Sequence, residues 1–311
     1  GRFPVRSPGL NLSHKPVKGS SAAADCAYCP HAMTDTFHNT ASLRLPGMFV
    51  LFLFYLCVIV PPAGADPLKT PDHAPWGRLL QSRLTEGEGG APNRFDYGGL
   101  KASPEDRAAL KAYIASLEAV DPEALSRDEA FAFWVNLYNA LTVEVVVEHY
   151  PIASIRDIDI SPGLFSNGPW GRKLVTVGGR ELSLDDIEHG ILRPEFGDPR
   201  VHYAVNCASV GCPDLAAEPY RGEDLDAMLD EAAGAYVNSP RGARVEGGEL
   251  TASSIFKWYM KDFGGTEAGV LAELRKYAAP ALREKLENIA AVASYDYDWS
   301  LNDTAEPENG E

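Results

Sequence analysis

The residues with the greatest chemical capacity stand in one stretch, His202-Tyr-Ala-Val-Asn206-Cys207-Ala-Ser209-Val-Gly211-Cys212-Pro213. An apolar run leads into a tight loop of small residues that carries two cysteines. Loops at the ends of regular elements are where a rigid scaffold presents reactive groups. A thiolate nucleophile needs an imidazole or a helix N-terminus to lower its pKa, and its base needs an orienting group. After residue 65 the imidazoles are His73, His149, His189 and His202. His189 follows Asp185-Asp186-Ile187-Glu188, so a carboxylate can set its tautomer. The nucleophilic reading makes Cys207 the attacking group and His202 or His189 the base. Glu188 or a helix asparagine is then the orienter, in a thiol-dependent hydrolase or acyl transferase.

The same residues support other chemistries. Cys207 and Cys212 could work as a dithiol, with four residues between them rather than the two of the usual redox motif. His189, His202 and two thiolates are also suitable ligand types for a metal. A non-catalytic binding or scaffold module would use Cys207–Cys212 as a small-loop disulfide. The usual thiol-protease arrangement, a cysteine opening a buried helix, is not the pattern here. No phosphate loop, dinucleotide fingerprint or Gly-x-Ser-x-Gly elbow is present, so no cofactor is implied. The expected ligand is a small molecule or peptide of unspecified class.

The loop has to be held by helices. Ser103 followed by Pro104 predicts a helix start, running to about Val120. Ser126-x-x-Glu129 is a capping box for a second helix that continues to Tyr150, where Pro151 stops it. From Ala130 to Val147 that helix is apolar nearly all round and belongs at the centre of the domain. Asn136, Asn139 and Thr142 form a slanted polar stripe on it. Buried amides need partners, so the stripe either ties down crossing loops or, with Trp134 and Tyr138, contacts a ligand.

Gly178-Gly179 and Gly247-Gly248 predict two hairpins, Lys173–Val177 with Arg180–Leu184 and Arg244–Glu246 with Glu249–Ala252. A short helix is expected around Asp185–Leu192, strands at Val201–Val205 and Ser294–Leu301, and helices over 223–237, 254–263, 266–277 and 280–289. Trp258, Tyr259 and Phe263 are either core or part of a ligand cleft. The fold class is α+β, a single helix-rich domain with a central buried helix and a small antiparallel sheet. It is expected over 93–303, after a flexible segment at 66–92 and before a polar tail at 304–311.

Composition sets the outer limits. The 311 residues hold 28 Lys and Arg against 44 Asp and Glu, a net charge of −16. No basic cluster is visible, which argues against nucleic acid as partner. Met48–Val60 is thirteen uncharged, almost wholly apolar residues, followed by Pro61-Pro62 and Ala63-Gly64-Ala65. A membrane span needs roughly 20 apolar residues. The shorter run reads as a secretory leader cut after Ala65, with Met33 as the better start candidate and Arg44 as its positive flank. Membrane contact would then be transient, and the destination is a periplasm or the cell exterior. Cys26 and Cys29 with His31 resemble half a zinc site, but no second pair follows.

Four ordered blocks are similar to a known family. They are Phe133-Trp134-Val-Asn136-Leu-Tyr138-Asn139, Leu184-Asp185-Asp186-Ile-Glu188-His189, His202…Cys207…Cys212-Pro213 and Ile255-Phe256-Lys257-Trp258-Tyr259. Together they resemble the DUF547 family, and Asn93–Tyr97 and Tyr297-Asp298-Trp299 resemble its two ends. The resemblance implies the extent of the domain and no particular mechanism.

Overall fold

Trp76, Leu79 and Leu80 sit three and four residues apart and turn one face of α1 (Ala74–Arg83) into the core. The computed structural model describes residues 70–163 and 168–305, and these fall in one compact unit. The leader read in residues 1–65 lies outside the described residues. Helix α1 occupies part of the segment expected to be unpatterned. Two-residue strands β1 (Leu84–Thr85) and β2 (Arg94–Phe95) pair antiparallel after it, and α2 (Tyr97–Ala102) follows.

The two capped helices form where their caps stand. Ser103 accepts the Asp106 N–H at the start of α3 (Pro104–Glu118). Ser126 and Glu129 complete the capping box of α4 (Arg127–His149). From Phe131 to Val147 every residue of α4 except Glu144 is buried. Its length and apolarity would suffice to cross a membrane, but the burial is inside the protein, with α2 and α3 packed against it.

Both Gly-Gly turns carry positive φ at both glycines, +56° and +74° in the first hairpin and +59° and +85° in the second. This is the twist that joins short antiparallel strands. The first hairpin is β3 (Val175–Val177) with β4 (Arg180–Leu182). A π-helical segment (Asp186–Phe196) comes next. It contains Pro194, whose missing N–H and ring are incompatible with a regular α-helical ladder.

Val201–Val205 is a difference from expectation. Its first four residues form a short helix, α5 (Val201–Ala204), rather than a strand. All four are buried, and a short apolar run enclosed on all sides carries no information about period.

Helix α6 (Leu225–Asn238) leads to β5 (Ala243–Glu246) and β6 (Glu249–Ser253). Helix α7 (Ser254–Trp258) is shorter than expected and unwinds at Tyr259, well before Phe263. After α8 (Glu267–Tyr277) and α9 (Pro280–Leu286), β7 (Ser294–Asp296) pairs parallel to β6, so the three-stranded sheet is mixed. Strand pairing at β7 ends at Asp296. Beyond it the backbone bonds elsewhere: Val210 N–H to Ser300, Gly211 N–H to Asp298, Asn302 N–H to Ala208 and Phe95 N–H to Asn302. The C-terminal segment thereby wedges between β2 and the cysteine loop.

Two apolar clusters result, one around α4 and one beneath α6, α8 and the mixed sheet. Tyr203 belongs to the second, and Val201, Ala204 and Val205 to the first. The cysteine loop therefore emerges where the two clusters meet.

Candidate functional site

The loop is fixed from below by α4. Asn139 donates to the Ala204 carbonyl at 3.0 Å and accepts the Asn206 N–H at 2.8 Å. Asn206 in turn donates to the Pro213 carbonyl at 2.7 Å and accepts the Ala208 N–H at 2.9 Å. These bonds hold Ala208 at φ +59°, left-handed backbone that a residue with a Cβ adopts at some energetic cost. Gly211 passes so near the C-terminal segment that a Cβ there would lie 2.7 Å from the Asp298 nitrogen.

This backbone brings the two sulfurs to 3.0 Å as free thiols. Cys207 is half-buried and Cys212 buried. The Cys207 Sγ also lies 3.2 Å from the Ser209 hydroxyl and 3.0 Å from the Tyr297 hydroxyl. Hydrogen bonds from Cys212, Ser209 and Tyr297 outweigh burial and hold the Cys207 thiol below its ordinary pKa. Burial pushes Cys212 well up. Tyr297 is likewise pushed up by burial, so it remains a hydroxyl beside the Cys207 sulfur.

The thiol opens on a cavity of about 500 Å³. On another wall stands His202, its Nε2 2.8 Å from Asp262 Oδ2 and its ring stacked on Tyr259 at 4.0 Å. Asp262 is buttressed by Arg193 Nε at 2.6 Å. Burial opposes ionisation of that carboxyl, but Arg193 and His202 keep its pKa low. Burial also lowers the pKa of His202, which favours the neutral ring. Its Nδ1 is 4.0 Å from Glu188, a buried carboxylate whose charge, after burial, helps push the pKa of Tyr259 up. His189 is more exposed. It accepts from Arg193 at Nδ1, 3.1 Å away, and its Nε2 is 3.8 Å from Asp185. The mouth is aromatic, with Trp299 within 6 Å of Trp170, Trp258 and Tyr297.

Of the residues singled out in the sequence, Cys207, Cys212, His202, His189, Glu188, Tyr138, Trp258 and Tyr259 line this one cavity, while Phe263 is core. Asn136, Asn139 and Trp134 do not line it. Asn136 is bonded at both ends of its amide to Tyr220 backbone, at 2.8 and 2.9 Å, and Trp134 packs edge-on against Phe133 in the core. Both asparagines tie down crossing chain segments. Among the described residues, no histidine is hydrogen-bonded to Cys207. Asp262 is the group that orients His202, in place of Glu188. No group of three or more His, Cys, Asp or Glu is arranged around a common metal position among the described residues.

Asp262 was missed in the sequence. Its only signal is its place within the aromatic run Trp258–Phe263. Tyr297, Trp299 and Trp170 also escaped attention as site residues, because nothing local marks them as neighbours of Cys207.

The arrangement presents a thiol held toward its anion, a neutral imidazole with a carboxylate behind it, and a largely apolar enclosure. No curated protein and no solved structure matches the chain. One family model does, over residues 122–237, described as a protein of unknown function. The matched stretch holds Cys207, Cys212, His202, His189 and Glu188, while Asp262, Tyr259 and Tyr297 follow it in sequence. The family whose model residues 122–237 match is DUF547.

Proposed function

We propose that the protein is a thiol-dependent hydrolase or acyl transferase with Cys207 as nucleophile. The observation that carries this reading is the convergence of Cys212, Ser209 and Tyr297 on the Cys207 sulfur, within 3.2 Å, at the wall of an aromatic cavity. A thiolate stabilised by Cys212, Ser209 and Tyr297 needs no base in contact with it to become nucleophilic. It would attack the carbonyl carbon of the substrate and form a thioester as the leaving group departs. The leaving group would take its proton from solvent, and the neutral His202, oriented by Asp262, would then take one from the water or alcohol that resolves the thioester as the Cys207 thiolate is released. Export through the leader read at 48–65 forms part of the proposal, and Asp66 as the N-terminus of the secreted protein would support it.

A second reading rests on the 3.0 Å separation of the sulfurs and their opposite pKa shifts. An attacking thiol with a buried partner is the arrangement of a dithiol redox couple.

One experiment separates the two. The protein is purified without reductant, alkylated with iodoacetamide from pH 5 to 9, and mapped by mass spectrometry. It is then offered small acyl thioesters. Cys207 should alkylate with a midpoint below the ordinary thiol value of about 8.5 and should trap an acyl adduct. Cys207→Ser should abolish the adduct, and Cys212→Ser should retain it. A quantitative Cys207–Cys212 disulfide with no acyl adduct after reduction overturns the acyl-transfer reading in favour of the redox one.

A further inference from the structure

The charge of the cavity wall carries information about what enters. Asp185 and Glu188 both line it, and no Lys or Arg does. The cations nearby are already engaged: Arg193 with Asp262 at 2.6 Å, Lys173 with Asp186, and Arg156 over the Trp299 ring at 5.2 Å. Among the described residues, no Lys or Arg pairs with Asp185 or Glu188. Within 4.0 Å their ionisable partners are His189, at 3.8 and 3.6 Å, and, for Glu188, His202 at 4.0 Å; farther off, Glu188 shares the charge of Arg193 with Asp262, so one cation stands against two carboxylates.

Glu188 is only 6 % exposed. A carboxylate so buried, facing a cavity with histidines as its near partners, has negative charge left to be met from the cavity side. The aromatic mouth adds to this. The ring faces of Trp258 and Trp299 attract cations through their quadrupoles, and Trp299 already takes the Arg156 guanidinium. Trp258, at 49 % exposure, is the one large apolar side chain left open to solvent among the described residues.

We propose that the cavity selects substrates bearing a positively charged nitrogen, a protonated amine or a quaternary ammonium, close to the carbonyl that Cys207 attacks. The proposal rests on Cys207 as the reactive thiol. An anionic acyl donor, such as a free carboxylate or a phosphate ester, would meet Asp185 and Glu188 and be excluded. A neutral polyol could also stack on the tryptophans and hydrogen-bond the carboxylates, but it would leave the buried charge unbalanced.

Charged thiol reagents test this without a known substrate. Methanethiosulfonates transfer an alkylthio group to a thiolate: a new S–S bond forms at Cys207, the S–SO₂ bond breaks, and methanesulfinate leaves with the electron pair. The whole reduced protein is treated in turn with the trimethylammonium-ethyl, the sulfonato-ethyl and the neutral methyl reagent. Loss of the reduced mass gives each rate, and peptide mapping identifies Cys207. The trimethylammonium-to-sulfonate rate ratio should exceed that of 2-mercaptoethanol by at least about tenfold.

Glu188→Gln should lower that ratio several-fold, and so should Asp185→Asn, a more exposed position that serves if the first variant does not fold. Trp258→Ala should slow the trimethylammonium reagent selectively. Glu249→Gln, at the exposed start of β6 and outside the cavity lining, removes the same charge and should leave the ratio unchanged. A ratio like that of the free thiol, with brisk neutral labelling of Cys207, overturns the cationic class and spares the nucleophile. So does a high ratio that falls equally in Glu249→Gln, which would trace it to overall charge. Failure of all three reagents to label Cys207 removes the nucleophile reading itself.

Discussion

The hydroxyl of Tyr297 lies 3.0 Å from the sulfur of Cys207, across ninety positions of sequence. Tyr297 also bonds the Ser209 hydroxyl at 2.9 Å, and its ring is held between Trp258 and Trp299. The C-terminal segment thus supplies both a wall of the cavity and one of the polar groups around the Cys207 sulfur. Its own backbone is anchored to the loop it serves through Val210, Gly211 and Ala208.

Tyr297→Phe should therefore raise the pKa of Cys207 while leaving the fold in place, because the phenyl ring keeps the contacts with both tryptophans. A hydrogen bond to a charged group contributes about 1.5–3 kcal/mol, equivalent to an upward shift of about one unit or more. The pH dependence of iodoacetamide alkylation at Cys207 measures it. An unmoved midpoint would mean that Tyr297 is only a wall.

The two asparagines of α4 should separate stability from reactivity. Each clamps two buried backbone groups, so Asn136→Ala and Asn139→Ala should each destabilise by about 2–3 kcal/mol in urea unfolding. Asn139 alone holds Ala204 and Asn206, the entrance to the cysteine loop. Alkylation of Cys207 in the folded protein should slow in Asn139→Ala and stay unchanged in Asn136→Ala, whose partner is Tyr220. Equal slowing in both variants would assign the effect to general loosening.

Stability should fall on mild acidification. His73, bonded to Tyr113 at 2.7 Å, is lowered by burial from 6.5 to about 4, with Asp72 opposing. His202 is shifted in the same direction by burial. Between the folded and unfolded pKa values the unfolded chain binds more protons, so the stability associated with the neutral ring is present above pH 6.5 and is lost as pH falls toward about 4. His73→Gln, which can still bond Tyr113, should flatten part of that slope in denaturant titrations at pH 4 to 7. An unchanged slope would show that His73 does not contribute to it.

The sequence by itself determined the features that depend on near neighbours. Ser103 with Pro104, Ser126 with Glu129, and the two Gly-Gly pairs each act over three or four residues, and the helices and hairpins they mark form where they stand. The apolar stretch Ala130–Val147 needed only its composition to be read as the central helix. The α+β class and the DUF547 match follow from such blocks. The pairing of Cys207 with Cys212 in one loop was legible because five positions of chain join them.

Tertiary structure decided the rest. Val201–Val205 is enclosed on every side, so its short apolar run could not tell helix from strand. The destinations of Asn136 and Asn139 were open between clamp and ligand contact, because a buried amide is satisfied equally well by either. Asp262 reaches His202 across sixty positions and Tyr297 reaches Cys207 across ninety. Such partners leave no local pattern: the hydrogen bond that joins them depends on how two apolar clusters meet, a property of packing rather than of spacing.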